Sequence, residues 1–353
     1  MHAGTNRGAI VTLTANPSLD RTVELAGVLR PGAVQRAAGF HEEPGGKGVN
    51  VCRALTASGT ACVAVLPGDN DDPVIAALRT AGIDYLNLPI GAALRGNLTL
   101  TDPDGTTTKV NLPGPEVSTA AQDRLLALTL EACAGPEGTQ PASWLVLAGS
   151  LPPGVPPDYY AVIAHAVRER FPHNTPSLAI DSSGPPLLGA LLHDAAPDLL
   201  KPNGEELAEV TGIATGDELE ANPVLAAGAA LTLIERGVRA VLATLGAKGA
   251  LLVTADGAWL ATHPPVVARS TVGAGDSSLA GYLLAASAGK PPQDCLRQAV
   301  AHGAAAASLP GSTVPTLTET RPDEVTVLPV ERQPVPASSA RRGPASATSK
   351  EQA

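Results

Sequence analysis

The segment STVGAGDSS, at residues 270–278, places two glycines and a carboxylate directly before an apolar stretch with helical spacing. Gly273 and Gly275 would lie at the helix N-terminus, where unpaired N–H groups and the helix dipole attract anions. A carboxylate beside such an anion would repel it, unless Asp276 is there to accept a proton from an attacking hydroxyl group. The pattern therefore predicts a phosphate cradle with Asp276 as general base. An ordinary N-cap in a tight turn fits this short segment equally well.

A second glycine-rich turn, PGGKGVNVCR at residues 44–53, also opens a predicted helix. Gly45 and Gly46 permit a ligand to approach the backbone closely. Lys47 and Asn50 follow at the start of the helix, where they could bind sugar hydroxyls or a phosphate oxygen. The alternative is a tight loop that carries a solvated lysine.

Polar side chains also follow two predicted strands, at the ends where ligands bind in α/β sheets. In NPSLD, at residues 16–20, Asp20 could hold two adjacent sugar hydroxyls. In KPNGEE, at residues 201–206, Asn203 and Glu206 could orient Mg²⁺ or its waters. A solvated turn aspartate and an ordinary acidic first turn of a helix are the respective alternatives.

Two common nucleotide-binding motifs are absent from the sequence. There is no GxxxxGK[ST] loop, so a Walker A site is excluded. Ser278 stands where a dinucleotide-binding fingerprint would have its third glycine, and the segment lies late in the chain. These features disfavour a dehydrogenase.

Short apolar runs alternate with longer helical patterns along the chain. Nearly continuous apolar strands between helices predict a mostly parallel sheet with helices on both faces, which is a three-layer α/β/α architecture. We expect strands in AIVTLT from residue 9, CVAVL from 62, WLVLAG from 144, SLAID from 177, AVLATLG from 240 and ALLVT from 250. We expect helices over residues 49–58, 119–134, 157–170, 222–235 and 276–288.

The segments LRGNLTL and TTTKVNL, on either side of a turn at residues 102–105, have the alternation of a β-hairpin. Together, residues 22–43 and 92–113 would form a small β-sheet that covers the main sheet as a lid. Arg95 and Lys109 fall on its polar face, where they could bind a phosphate group. A solvated hairpin face is an equally good interpretation.

The composition limits the classes of partner. The chain has 353 residues, a formal net charge of −10 and 2% aromatic residues, which argues against a nucleic-acid surface. There is no apolar signal region and no apolar stretch long enough to cross a bilayer, so we expect a cytoplasmic protein without membrane partners. The four cysteines form no CxxC pair and fit reduced thiols. We expect residues 1–8 to be flexible and residues 327–353, rich in Pro, Ser and Ala, to be a disordered tail.

In order and spacing, the segments resemble the PfkB family of ribokinase-like sugar kinases over roughly residues 9–317. GGKGVNVCRAL resembles the N-terminal signature of that family, and STVGAGDSSLAGYL resembles its C-terminal signature. KPNGEE is similar to its NxxE metal motif, and ATLGAKGALLV to its nucleotide-site turn. The resemblance implies a ribokinase-like fold with a lid, and transfer of the γ-phosphoryl group of ATP to a sugar hydroxyl with Mg²⁺.

Taken with the patterns above, the resemblance gives a set of expected site residues. Asp276 would be the base, and the backbone N–H groups of residues 274–276 would form an anion hole. A monovalent cation such as K⁺, near Ser270 and Val272, and a homodimer joined through the lid are known in the family. The full set is Gly273, Ala274, Gly275 and Asp276 for catalysis; Asp20, Gly45, Gly46, Lys47, Asn50, Arg95, Lys109 and Ser150 for the sugar; Asn203, Thr244, Gly246 and Gly249 for ATP; and Asn203 and Glu206 for Mg²⁺.

Within the family, TANPSLDRTVEL, KVNLPGPEVS and GSLPPGVPPDYYA look most like the branch that acts on sugar phosphates. The expected substrate is fructose 1-phosphate, with tagatose 6-phosphate and fructose 6-phosphate as alternatives. GGKG does not decide the substrate, because it also occurs in members that act on unphosphorylated sugars. A sugar-binding regulator without catalysis would lack the base or the metal motif, and both are present. A nucleoside kinase would be expected to surround its base with aromatic residues, and the chain has two Phe and two Trp.

Overall fold

The computed structural model describes residues 8–192 and 196–332. Within this part of the chain, ten strands form one large sheet and four form a second, smaller sheet. The strands of the large sheet are β1 (Ile10–Leu13), β4 (Cys62–Pro67), β5 (Asp84–Leu88), β8 (Trp144–Ala148), β9 (Ser177–Asp181), β10 (Leu199–Leu200), β11 (Ala240–Thr244), β12 (Ala250–Thr254), β13 (Ala258–Thr262) and β14 (Thr326–Pro329). Those of the small sheet are β2 (Ser18–Leu25), β3 (Ala37–Gly45), β6 (Arg95–Thr101) and β7 (Thr107–Asn111).

The large sheet has the strand order β14-β13-β12-β11-β10-β9-β8-β1-β4-β5. Its pairs are parallel from β5 to β11 and antiparallel from β11 to β14. The predicted strands are found, and the predicted mostly parallel sheet is confirmed. Because the carboxyl ends of the parallel strands meet at one edge, the loops that follow them converge there.

Helices cover both faces of this sheet, as its continuous apolar strands require. One layer contains α3 (Thr119–Ala134), α4 (Tyr159–Arg170), α5 (Gly184–Gly189), α6 (Gly204–Thr211), α7 (Gly216–Ala221) and α8 (Pro223–Glu235). The other contains α1 (Lys47–Ala57), α2 (Pro73–Thr80), α9 (Ala274–Ser287) and α10 (Pro292–Ala307). Alternate strand residues face the two layers: Leu145 packs towards the first and Val146 towards the second. None of the described helices is both long and apolar enough to cross a membrane.

The small sheet is the predicted lid. Its order is β3-β2-β6-β7, with β2 and β6 parallel and the outer pairs antiparallel. Thr99 lies opposite Lys109, and Asp20 lies opposite both Glu43 and Asn97. Residues opposite each other share a face, so the polar face expected from the hairpin pattern is present.

The expected start of a disordered tail at residue 327 is wrong. Residues 326–329 form β14, which pairs antiparallel with β13, and Val327 packs against the core. Arg332 continues the contact, since its Nη1 donates to the carbonyls of Thr254 at 3.1 Å and Ala255 at 2.7 Å. Pro329 is tolerated because β14 is an edge strand of the sheet and needs fewer N–H donors. The rest of that segment, from residue 333, lies outside the described residues, as does the N-terminal segment up to residue 7.

Candidate active site

The N-terminus of α9 forms the centre of the site. Gly273 precedes the helix with φ 75°, a left-handed conformation that glycine adopts without strain. The first turn of a helix leaves backbone N–H groups without intrahelical partners, and here this turn contains residues 274–276. A Cβ atom on Gly275 would lie 3.4 Å from the ammonium nitrogen of Lys201, so a cation faces the same turn. The N–H of Ala274 donates to the carbonyl of Thr271 at 3.4 Å, which leaves those of Gly275 and Asp276. The arrangement combines these N–H donors, a helix dipole and an ammonium group, all of which attract an anion.

Asp276 lies beside this anion site and is 9% exposed. Its Oδ2 accepts a hydrogen bond of 2.9 Å from Nδ2 of Asn50 on α1. Burial, helped by the nearby carboxylate of Asp181, raises the pKa of Asp276 to about 6, against the opposing effects of Lys47, the Asn50 hydrogen bond and Lys201. A carboxylate with this pKa is ionised at pH 7 and accepts a proton more readily than an ordinary aspartate.

Two lysines and two carboxylates form a cluster next to Asp276. Lys47 Nζ lies 2.7 Å from Asp181 Oδ1 and 3.2 Å from Glu206 Oε1. Lys201 Nζ lies 3.1 Å from the other oxygen of Asp181. Burial alone would raise the pKa of the fully buried Asp181, but the two lysines outweigh it and lower that pKa. Asp181 is the last residue of β9, and Lys201 directly follows β10. Neither was predicted as a site residue, although a charged residue at the end of an apolar strand was an available signal in both cases.

Asn203 and Glu206 begin α6 with a capping box. The N–H of Glu206 donates to Asn203 Oδ1 at 2.8 Å, and the N–H of Asn203 donates to Glu206 Oε2 at 2.9 Å. Among the described residues, no cluster of three or more His, Cys, Asp and Glu side chains could hold a metal by itself. Mg²⁺ keeps several waters and binds one or two carboxylates together with phosphates. Both oxygens of Glu206 already accept, Oε1 from Lys47 and Oε2 from the N–H of Asn203, so Glu206 fits an ion that it holds through waters rather than directly. The capping bonds hold Glu206 in that orientation.

The expected ATP residues lie next to this cap, in the turn that follows β11. Thr244 forms a parallel bridge with Asn203. Gly246 and Gly249 both have positive φ, 57° and 96°. A Cβ atom on Gly249 would lie 1.9 Å from the carbonyl oxygen of Ala261, so this glycine is required by packing against β13.

Of the expected sugar residues, Asp20, Gly45, Arg95 and Lys109 lie on lid strands, whereas Lys47 and Asn50 lie on α1 and Ser150 follows β8. Oδ1 of Asp20 accepts hydrogen bonds from Ser18 Oγ at 2.7 Å and Asn97 Nδ2 at 2.9 Å. A Cβ atom on Gly45 would lie 2.1 Å from Asp20 Oδ2, so only glycine leaves room for this carboxylate. Burial raises the pKa of Asp20 against these hydrogen bonds and nearby arginines. Gly46, with φ 104°, connects the lid to α1.

The two expected phosphate ligands of the lid are separated. Arg95 donates to the carbonyls of Asn16 at 3.2 Å and Leu112 at 3.0 Å, and its burial lowers its pKa. Lys109 is exposed on β7, opposite Thr99, which is four residues, about 13 Å, further along β6 than Arg95. The structure therefore brings Arg95 to the sugar residues and leaves Lys109 apart.

Two asparagines at this end of the site were not predicted. Asn16 donates from Nδ2 to Ser150 Oγ at 3.2 Å, which connects the expected residue Ser150 to the lid. The buried Oδ1 atoms of Asn16 and Asn97 have no hydrogen-bond partner among the described residues. An open acceptor beside Asp20 and Arg95 suits a sugar hydroxyl. Asn16 belongs to the NPSLD segment, so its position as a polar residue directly after a strand could have identified it as a site residue.

Comparison with known proteins gives consistent results. The pfkB family carbohydrate kinase profile matches residues 14–319. The ATP-dependent 6-phosphofructokinase isozyme 2 of Mycobacterium tuberculosis is 35% identical over 308 residues, 86% of this chain and 85% of that protein. The 1-phosphofructokinase of Xanthomonas campestris is 35% identical over 287 residues, 78% of this chain and 83% of that protein. Phosphofructokinase-2 from Escherichia coli, in complex with potassium, superimposes with a TM-score of 0.77 at 27% identity, over 88% of this chain and 96% of that one.

A sheet between two layers of helices, a small lid, and a buried carboxylate beside a helix N-terminus together define a ribokinase-like phosphotransferase. The chain belongs to the pfkB family of carbohydrate kinases. It is an ATP-dependent kinase of sugar phosphates.

Proposed function

We propose that the protein transfers the γ-phosphoryl group of ATP to the free primary hydroxyl of fructose 1-phosphate, which gives fructose 1,6-bisphosphate. The observation that carries this proposal is the position of Asp276, a buried carboxylate with a raised pKa beside the first turn of α9. A base and an anion site in contact are what in-line transfer from a phosphate to a hydroxyl requires.

In the reaction, Asp276 accepts the proton of the sugar hydroxyl as its oxygen attacks the γ-phosphorus. The N–H groups of Gly275 and Asp276 and the ammonium group of Lys201 stabilise the charge on the transferred phosphoryl oxygens. Asn50 holds the carboxylate through the 2.9 Å hydrogen bond, so that its other oxygen is directed to the substrate.

The nucleotide would bind along the turn after β11, at Thr244, Gly246 and Gly249, with its phosphates towards α9. Asn203 and Glu206 would hold the waters of Mg²⁺, and the metal supplies positive charge to the phosphates when it is bound. A K⁺ site near Ser270 remains part of the proposal, in the loop where Val272 N donates to Ser270 Oγ at 3.2 Å.

The sugar would lie between Asp276 and the lid, with its ring hydroxyls on Asp20, Asn50 and the glycines 45 and 46. Its phosphate would bind Arg95, with Lys47 on the opposite side of the site. Lys109 would need to extend along the lid to contribute, because it starts about 13 Å from Arg95 along the strand. Relatives named 1-phosphofructokinase and 6-phosphofructokinase are equally identical to this chain, at 35%, so fructose 6-phosphate is the competing substrate that they support. Tagatose 6-phosphate is an alternative only from the family resemblance.

The lid would also join two copies of the chain. The face opposite Asp20 is largely apolar, since Val23 lies opposite Phe40 and Leu100 and Leu98 lies opposite Val110, although the ion pair of Arg21 and Glu42 also lies on it. Phe40 is 55% exposed and Val110 is 50% exposed, which is a large apolar surface for a small sheet. A second lid packed on this face would cover both. Sedimentation equilibrium of the wild type and Phe40→Glu tests this, and a monomeric wild type would exclude the dimer.

The deciding experiment is an ADP-release assay with fructose 1-phosphate, fructose 6-phosphate, tagatose 6-phosphate, fructose and ribose at equal concentrations. We expect the highest kcat/KM for fructose 1-phosphate. A preference for a 6-phosphate would change the substrate and keep the mechanism, whereas a preference for an unphosphorylated sugar would remove the phosphate role of Arg95. Asp276→Asn should lower kcat by ~10²–10⁴-fold. Asp294→Asn, in the exposed first turn of α10, is the matched control and should leave kcat unchanged.

A further inference from the structure

Arg53 on α1 is a buried cation outside the expected site, 9% exposed. Its Nη2 lies 3.2 Å from Oε1 of Glu43 on the lid strand β3. Its Nη1 donates to the carbonyl of Pro44 at 3.3 Å and to Oδ1 of Asn50, three residues earlier on the same helix, also at 3.3 Å. The guanidinium group therefore connects the lid to the side chain that holds Asp276.

The amide of Asn50 can be oriented in two ways, and only one of them suits both neighbours. In the structure its oxygen accepts from Arg53 and its nitrogen donates to Asp276. Turning the amide over would place an oxygen against the carboxylate and an NH₂ group against the guanidinium, which removes both hydrogen bonds and opposes like groups. The ionised carboxylate of Asp276 has acceptors only and also disfavours the second orientation, but a protonated one can donate. Arg53 has donors only and therefore excludes the second orientation in both protonation states of Asp276.

We propose that Arg53 is a positioning residue that fixes the amide of Asn50, and through it the carboxylate of Asp276, in the orientation that accepts a proton. This inference rests on the proposed role of Asp276 as base. Arg53 acts on Asp276 only through Asn50, so the proposal requires a residue outside the segment that contains the base.

Glu43 holds Arg53 from the lid. It is opposite Asp20 in the β2–β3 register, and its second carboxylate oxygen accepts a hydrogen bond from Ser312, in the loop after α10. A planar guanidinium can contact Glu43 and Asn50 with different nitrogens at the same time, whereas an ammonium group cannot reproduce this fork. The lid strand is thus connected to the base through three side chains.

Other charged groups also act on Asp276, and they remain in place when Arg53 is replaced. Asp181 comes from β9, Lys47 from α1 and Lys201 from the segment after β10. From α10, which packs against α9, His302 is buried, with its pKa lowered to about 4, and is therefore neutral above pH 5.

The test is the titration of the Asp276 carboxyl carbon by NMR, assigned by comparison with Asp276→Asn, in Arg53→Gln and Arg53→Lys. A hydrogen bond to a charged group is expected to lower a carboxyl pKa by about one unit, so its loss in Arg53→Gln should raise the titration midpoint by about one pH unit. A midpoint that moves from about 6 to about 7 leaves about a tenth rather than half of the base ionised at pH 6. In Arg53→Gln, kcat at pH 6 should therefore fall about fivefold, whereas kcat at pH 8 should change less than about twofold. Arg53→Lys keeps a cation beside Glu43 and should move the midpoint less, in the same direction.

Arg239→Gln is the control, because it removes another arginine–carboxylate pair, with Asp198, far from the site. An unchanged midpoint in the folded Arg53 variants, or an equal shift in Arg239→Gln, would overturn the proposal. If Arg53→Gln does not fold, Arg53→Lys decides. Full activity of Asp276→Asn would remove the proposed function, and the NMR midpoint would still report whether Arg53 orients the carboxylate.

Discussion

The raised pKa of Asp276 has a consequence for stability that can be measured without substrate. Its folded pKa of about 6 lies above its usual value of 3.8, so the folded protein holds this proton more tightly than the unfolded chain. Stability is therefore lost as the pH rises from about 4 to about 6, and the loss is complete above that range. Two pKa units correspond to ~3 kcal/mol at pH 8.

Replacing the charged group by a neutral one of the same shape removes this cost. We expect Asp276→Asn to be more stable than the wild type at pH 8, by up to ~3 kcal/mol, with a Tm higher by about 4 °C for a chain of this length. At pH 5 the wild type already holds most of the proton, so the advantage should shrink by ~1.4 kcal/mol.

Thermal unfolding of both proteins at pH 5 and pH 8, followed by circular dichroism, measures the difference. Asp294→Asn is again the control: its carboxylate is half-exposed and pairs with Arg297 at the surface, where an ion pair contributes little, so the gap to wild type should be small at both pH values. An Asp276→Asn protein whose advantage does not grow between pH 5 and pH 8 would refute the reasoning, since Asp276 would then carry no buried charge to remove.

Three further results are expected. Gly45→Ala should raise KM for the sugar about tenfold or more, because the new methyl group would displace the Asp20 carboxylate. Gly27→Ala, in open space on the same lid, is the control and should change neither KM for the sugar nor KM for ATP. Arg95→Ala should raise KM for the sugar phosphate by about one to two decades and spare KM for ATP, whereas Lys109→Ala should have a smaller effect; equal effects would contradict the separation along the lid. Deletion from residue 333 should leave Tm and kcat unchanged, but deletion from residue 326 should lower Tm because it removes β14. A lower Tm in the deletion from residue 333 would show that the end of the chain contributes to stability.

Much of the fold could be predicted because the central strands are buried on both faces. Continuous apolar runs such as SLAID and ALLVT have no other stable position, and both coincide with observed strands. Two of the strands that were not predicted have weaker local signals, whereas α2 has a clear one, an aspartate cap followed by proline and a distinct apolar face. β10 has two residues and depends on its neighbours for its existence, and β14 begins in a segment whose prolines suggest disorder. α10 is rich in Ala, but its faces differ more than those of the predicted helices α3 and α8, so its pattern was a signal that the prediction did not use.

The site was predictable where two residues that contact each other lie in one short segment, and not where such residues are distant in sequence. The capping box of Asn203 and Glu206 is contained in four residues. Asp181 and Lys201 approach each other only because β9 and β10 are adjacent in the sheet. Arg53 lies inside the segment GGKGVNVCRAL, but its proposed role depends on contacts with both Glu43 and Asn50, and the contact with Glu43 depends on how β3 is placed in the lid.

The charges of the site also explain why a base with a raised pKa suits this reaction. With Asp276 ionised, three carboxylates (with Asp181 and Glu206) face two ammonium groups, Lys47 and Lys201, so the cluster carries one excess negative charge next to an incoming phosphoryl group. Transfer of the hydroxyl proton to Asp276 cancels that charge at the step in which the sugar oxygen attacks, so the energy stored in the buried charge favours the forward step. A pKa of about 6 is still low enough for the proton to leave at pH 7 to 8 before the next turnover. A base buried more deeply would take the proton more readily and would then retain it.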